Sequence, residues 1–251
     1  MNIKENDLRD ETGKYTRPIT YNEFKNSLDE GRKKILAEYE NSIMEFFSIL
    51  DKNNLLKKEF ADEVIKRLQK QGYTDLHVHS LIHNSYNIAS KFRDVDFMNS
   101  FQNVAKSEGF NVDDIGEQVM VMIGMSYVYH VEYLKRNMLL LIDFGKMDLK
   151  KPDTLTFGGI LNKLAQYKLI NEDMNKNIFF NFLNAKKRNA LAHFSYYFEN
   201  SKMHLCIDGP FDPKPSQMEF YELMKESITM NVFSLSFYLI FVSKYVQKEL
   251  D

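Results

Sequence analysis

A chain of 251 residues that is 44% hydrophobic, with only 10 Gly and 5 Pro, can bury a sizeable core and is not a low-complexity tail. A net charge of −2 excludes nucleic-acid binding through overall basicity, and the single Cys206 excludes an internal disulfide and a thiolate-rich zinc site. With no basic-apolar leader at its start and no apolar run of the ~18 residues a bilayer requires, the chain is expected to be cytoplasmic and free of membrane.

In chain order, the first twenty residues are polar and read as loose. Tyr21 to Leu50 then carries the stripe Ile35, Tyr39, Ile43, Phe46, Phe47 and Leu50 of an amphipathic helix. Further helices are predicted over Leu55 to Gln69, His79 to Phe92 and Asp96 to Ser107, and the turn Glu108-Gly109-Phe110-Asn111 marks a boundary between residues 1–110 and 111–251. A long helix is expected from Asp113-Asp114 to Phe144, stopped by Gly145. Thr154 to Tyr167 reads as a helix with Leu155, Ile160, Leu161 and Leu164 on one side, and Asn171-Glu172-Asp173 caps another reaching Leu183. Arg188 to Tyr197 continues the helical pattern, Tyr196 to Ile207 alternates as a short hairpin about Glu199-Asn200-Ser201, and Asp208 to Pro215 reads as loop. Ser216 opens a last helix to about Leu250, whose apolar segment Val232 to Val242 is too short to span a membrane and reads as core or dimer interface. The expected class is all-α with one hairpin.

Charge is uneven along the chain. Residues 145–204 hold ten Lys and Arg against five Asp and Glu, a local excess suited to a phosphate backbone. This segment contains Arg188-Asn189-Ala190-Leu191-Ala192-His193. On a helix Asn189 and His193 share a face, and Arg188 lies about 140° around the axis from His193, within reach of a long side chain. RNA can be cut without a metal when its 2′-hydroxyl is the nucleophile. Histidine, with an ordinary pKa of about 6.5, suits the proton transfer, and a guanidinium suits the charge developing on phosphorus. Asn189 is placed to orient the imidazole or a ribose hydroxyl. Lys186 and Lys187 are candidates for the RNA backbone, and Tyr196 and Tyr197 for stacking on bases.

Arg188, Asn189 and His193, set after a long helix, the Thr154-to-Leu161 stretch and a further helix, resemble the signature of the HEPN superfamily, an Arg, a polar residue and a His four to six positions beyond the Arg. The resemblance covers about residues 113–251. It implies an antiparallel helical bundle, here with a short β-hairpin after the motif helix and residues 1–110 as an N-terminal helical extension. It also implies a metal-independent endoribonuclease without cofactors, a homodimer whose two motif copies face each other, and service as a toxin or antiphage effector with a possible antitoxin or regulatory protein. One toxin branch places a regulatory Tyr two residues after the His; here Phe194-Ser195-Tyr196 puts it at three.

Two other readings compete. Asp75-Leu76-His77-Val78-His79, with His83 one helical turn on, resembles the first metal motif of PHP-type phosphoesterases and amidohydrolases, whose barrels demand strands that the remaining sequence does not offer. A non-catalytic adaptor would instead dimerise through the apolar face around Phe233, Phe237, Ile240 and Phe241.

Overall fold

A computed structural model describes residues 20–57, 95–109, 112–148, 154–170, 185–200, 202–209 and 212–246. Among them the chain is mostly helical with one small sheet. It forms two compact units, each assembled from separated stretches: Met1–His77, His130–Ala185 and Thr229–Asp251 in the first, Val78–Tyr129 and Lys186–Ile228 in the second. The first therefore draws residues from both sides of the boundary expected at 110/111.

In the first unit the helix expected from Tyr21 to Leu50 is two helices, α1 (Tyr21–Ser27) and α2 (Glu30–Lys52). Thr20 starts α1 with a capping box, its hydroxyl accepting from Glu23 N while its own N–H donates to the Glu23 carboxylate. Leu28 then turns extended and the Asp29 carboxylate caps Arg32 N at 2.8 Å, so a local acceptor starts a new helix where the periodicity alone would continue the old one. The buried stripe of α2 is Leu36, Tyr39, Ile43, Phe46, Phe47 and Leu50; Leu36 takes the place expected for Ile35.

Leu55 does not begin a helix. Leu56 bridges Ile142 in antiparallel fashion, Asp143 N donates to Leu55 O, and Lys57 N donates to Leu141 O. This pairing ends α4 (Val112–Leu141) before Phe144, and Gly145 falls inside a 3-10 turn, Phe144–Met147. Helix α5 (Phe157–Gln166) is capped by Thr156 and buries Phe157, Ile160, Leu161 and Leu164, Phe157 rather than Leu155 filling the first position.

The core of this unit lies between α2 and the C-terminal half of α7 (Phe220–Phe241), which a π-helical turn, Val242–Val246, extends. Phe47 meets Phe237 at 4.7 Å and Phe241 at 5.7 Å between ring centroids, and Tyr39 packs edge-on against Phe233. Every residue from Thr229 to Val242 is buried. Among the described residues Phe220–Tyr245 is the one helical span long and apolar enough to cross a membrane; 83% of its apolar window is buried within the chain, as befits a core helix. The same region encloses His130: Asn231 Nδ2 donates to its Nε2 (3.1 Å), its Nδ1 faces Ser234 Oγ (3.2 Å), and that hydroxyl donates to Asn231 O.

The second unit contains α3 (Val95–Ser107), α4 up to Tyr129, α6 (Ala185–Ala192) from Lys186 on, the first turns of α7 and the sheet. Gly109, at φ 77°, makes the turn expected after α3. The sheet has three antiparallel strands rather than two: β1 (Tyr196–Glu199), β2 (Lys202–Leu205) and β3 (Ser216–Met218). Ser216 therefore opens a strand, too short to show alternation, and α7 starts at Phe220. The predicted helices over residues 55–69, 79–92 and 171–183, and the loose first twenty residues, fall wholly or largely outside the described residues.

Candidate functional site

Helix α6 carries the motif. Ala190 and Leu191 are buried, whereas Lys186, Asn189 and His193, at helical spacing, form its exposed face. Leu191 packs into a notch at Gly124 of α4, where an added Cβ would lie 2.9 Å from Leu191 Cδ2. Lys187 turns to the other side and meets both carboxylate oxygens of Glu226 on α7, at 2.7 and 2.8 Å. These contacts fix which face of the short helix looks outward.

The helix stops earlier than its sequence suggests. It ends at Ala192, and His193 is the cap residue, its N–H still bonded to Asn189 O at 2.9 Å. Ser195 N donates to Ala190 O and Phe194 N to Leu191 O, a Schellman closure whose left-handed position is held by Phe194 at φ 55°. Asn54 and Lys168 close α2 and α5 in the same way. Tyr196 and Tyr197 thus lie on β1 instead of the motif helix.

Asn189 and His193 keep the predicted relation, one turn apart on an exposed face. The partly buried Arg188 reaches Asn189, its Nη1 donating to Oδ1 at 2.7 Å. That bond holds the guanidinium on the Asn189 side of the helix, and the amide's own N–H groups are not engaged by it. None of the three is sealed inside the chain.

The two lysines expected to face RNA are held by acids. Lys186 bonds Asp208, which raises its pKa above the ordinary lysine value, and Lys187 is clamped by Glu226. Tyr197 stacks on the buried His204 at 4.8 Å and 11°, and His204 Nε2 lies 3.8 Å from Glu199. Tyr196 lies between Phe194 (6.2 Å) and Phe198 (5.9 Å), and its burial pushes the phenol up from its usual value.

No family model, curated protein or solved structure matches the chain. His77, His79 and His83 lie outside the described residues, and among those described no group of three or more His, Cys, Asp or Glu could hold a metal ion. Asp208, Glu226, Gly124 and Phe194 escaped sequence reasoning. Only Gly124 left a sequence signal, as a glycine inside a helical pattern.

Proposed function

We propose that the chain is a metal-independent endoribonuclease of the HEPN type, folded as an antiparallel bundle around α4, α6 and α7 and acting as a cytoplasmic homodimer in cell defence or as a toxin. The observation that carries this reading is the exposed Asn189–His193 pair one turn apart at a helix end, with the Arg188 guanidinium delivered to it. In a site made from two motif copies, one His193 removes the proton from a ribose 2′-hydroxyl and the 2′-oxygen attacks the adjacent phosphorus. Arg188 stabilises the charge that builds on the phosphoryl oxygens. The P–O5′ bond breaks as the other copy's imidazole returns a proton to the leaving oxygen. The products are a 2′,3′-cyclic phosphate and a 5′-hydroxyl.

The experiment is cleavage of total RNA in EDTA with analysis of the ends. Chelator-resistant cleavage leaving cyclic phosphate, lost in His193→Ala with the fold intact, is expected; 3′-hydroxyl ends overturn the mechanism. The Arg188–Asn189 hydrogen bond also favours a second reading, a non-catalytic helical module whose polar network stiffens the end of α6. That module would cleave nothing, and His193→Ala would leave its assembly unchanged.

A further inference from the structure

The two lysines just before Arg188 are paired in different ways. The side chains of Lys187 and Glu226 are only 16% and 34% exposed, and the ammonium meets both carboxylate oxygens. That pair belongs to the packing of α6 on α7. Lys186 bonds Asp208 with side chains 64% and 59% exposed. An ion pair so open to water is screened, easily exchanged and of little weight in folding. Yet it stands on the face that carries the motif: Lys186, Asn189 and His193 are the exposed positions of α6 and its cap, about one turn apart.

Asp208 reaches that face from a shaped turn between β2 and β3. The Asp212 carboxylate accepts from Asp208 N at 3.2 Å and from Lys214 N at 2.9 Å, while Gly209 N donates to Cys206 O at 3.4 Å. Asp212 also lies near enough to attract the same ammonium. The backbone on both sides is tied, by these bonds and by the helix, so opening the pair asks only two exposed side chains to rotate.

A carboxylate oxygen on this ammonium takes the position that a phosphate oxygen would take. We propose that Asp208 makes an autoinhibitory contact: it holds Lys186 against the chain's own loop, and RNA binds fully only when the ammonium exchanges that carboxylate for a phosphate. In the free chain the motif face then carries less positive potential than its sequence supplies. This rests on the endoribonuclease reading and deepens it by naming an internal restraint on the site.

The test is binding of a short 2′-O-methylated oligoribonucleotide, which cannot be cleaved, over a range of salt. It would be measured with the wild-type chain, Asp208→Asn, Lys186→Met and the double variant. Asp208→Asn frees the ammonium, so affinity should rise about two- to fivefold at low salt. The gain should shrink as salt rises, because the pair that was removed is itself screened. Lys186→Met should abolish the gain. Cleavage by Asp208→Asn should show a lower KM at the same kcat, and its thermal midpoint should match that of wild type. Unchanged affinity in Asp208→Asn alongside intact EDTA-resistant cleavage overturns the autoinhibitory contact and leaves the endoribonuclease reading standing. A gain that persists when Lys186 is already methionine also overturns it, since the carboxylate then acts by general repulsion and not through the lysine. A lower midpoint for Asp208→Asn makes the pair a structural contact, which overturns it as well. Absence of EDTA-resistant cleavage in every form, Asp208→Asn included, removes both readings.

Discussion

Gly124 faces Leu191 so closely that a Cβ at Gly124 would lie 2.9 Å from the Leu191 Cδ2 atom. This contact seats α6 against α4 and so sets which way the motif looks. The obstructing atom is the tip of a flexible side chain. Gly124→Ala should therefore be close to neutral, the gain in helix propensity of about 1 kcal/mol offsetting a small shift of Leu191. Gly124→Val should cost about 1–3 kcal/mol by overpacking. Chemical denaturation checks both, and Leu191→Ala in the Gly124→Val background should recover part of the loss.

Lys187 serves the fold. Its side chain is mostly buried and doubly bonded to Glu226, a paired carboxylate. Lys187→Ala should lower stability by about 1 kcal/mol or more by leaving that carboxylate unpaired. It should also leave the salt dependence of RNA binding unchanged, whereas loss of a phosphate contact would reduce the slope by about one. A salt titration of binding separates the two.

Arg188 should not be replaceable by lysine. A planar fork can bond Asn189 and a phosphoryl oxygen together, and a single ammonium cannot reproduce that geometry. Arg188→Lys is expected to lower kcat by about 10²- to 10³-fold. KM and thermal midpoint should change little, as steady-state kinetics and a melting curve would show.

His130 is fully buried between Asn231 and Ser234, and the ring nitrogens engage both. His130→Leu leaves an amide and a hydroxyl inside the core without the ring, each costing about 1–3 kcal/mol. A loss near 3 kcal/mol by urea denaturation is expected. Ser234→Ala added to His130→Leu should return part of it.

Helical character, the long strut, the β1–β2 hairpin and the buried Val232-to-Val242 segment were legible because each rests on many residues repeating at one spacing. The exposed Asn189–His193 pair was legible for the same reason, since a four-residue step fixes a shared face. Endings were less so. Past Leu141 the chain leaves the helix, Ile142 bridging Leu56 while Asp143 N donates to Leu55 O, a partnership distant in sequence that no local pattern encodes. Asp29 divides α1 from α2 because a side-chain acceptor outcompetes continuation, and Phe194 hides the end of α6 by standing where glycine would have announced it. Lys186 and Lys187 read as free cations because Asp208 and Glu226 lie far along the chain.

The aromatic seam between α2 and α7 bears on how the chain can be divided. A fragment starting near residue 111 would keep the motif yet strip Phe46 and Phe47 from Phe237 and Phe241. Its newly bared rings would drive self-association. Trimming from the front is thus a route to aggregates rather than to a minimal motif-bearing fragment, and a protease that removed α2 would spoil the molecule's solubility while leaving Arg188, Asn189 and His193 untouched.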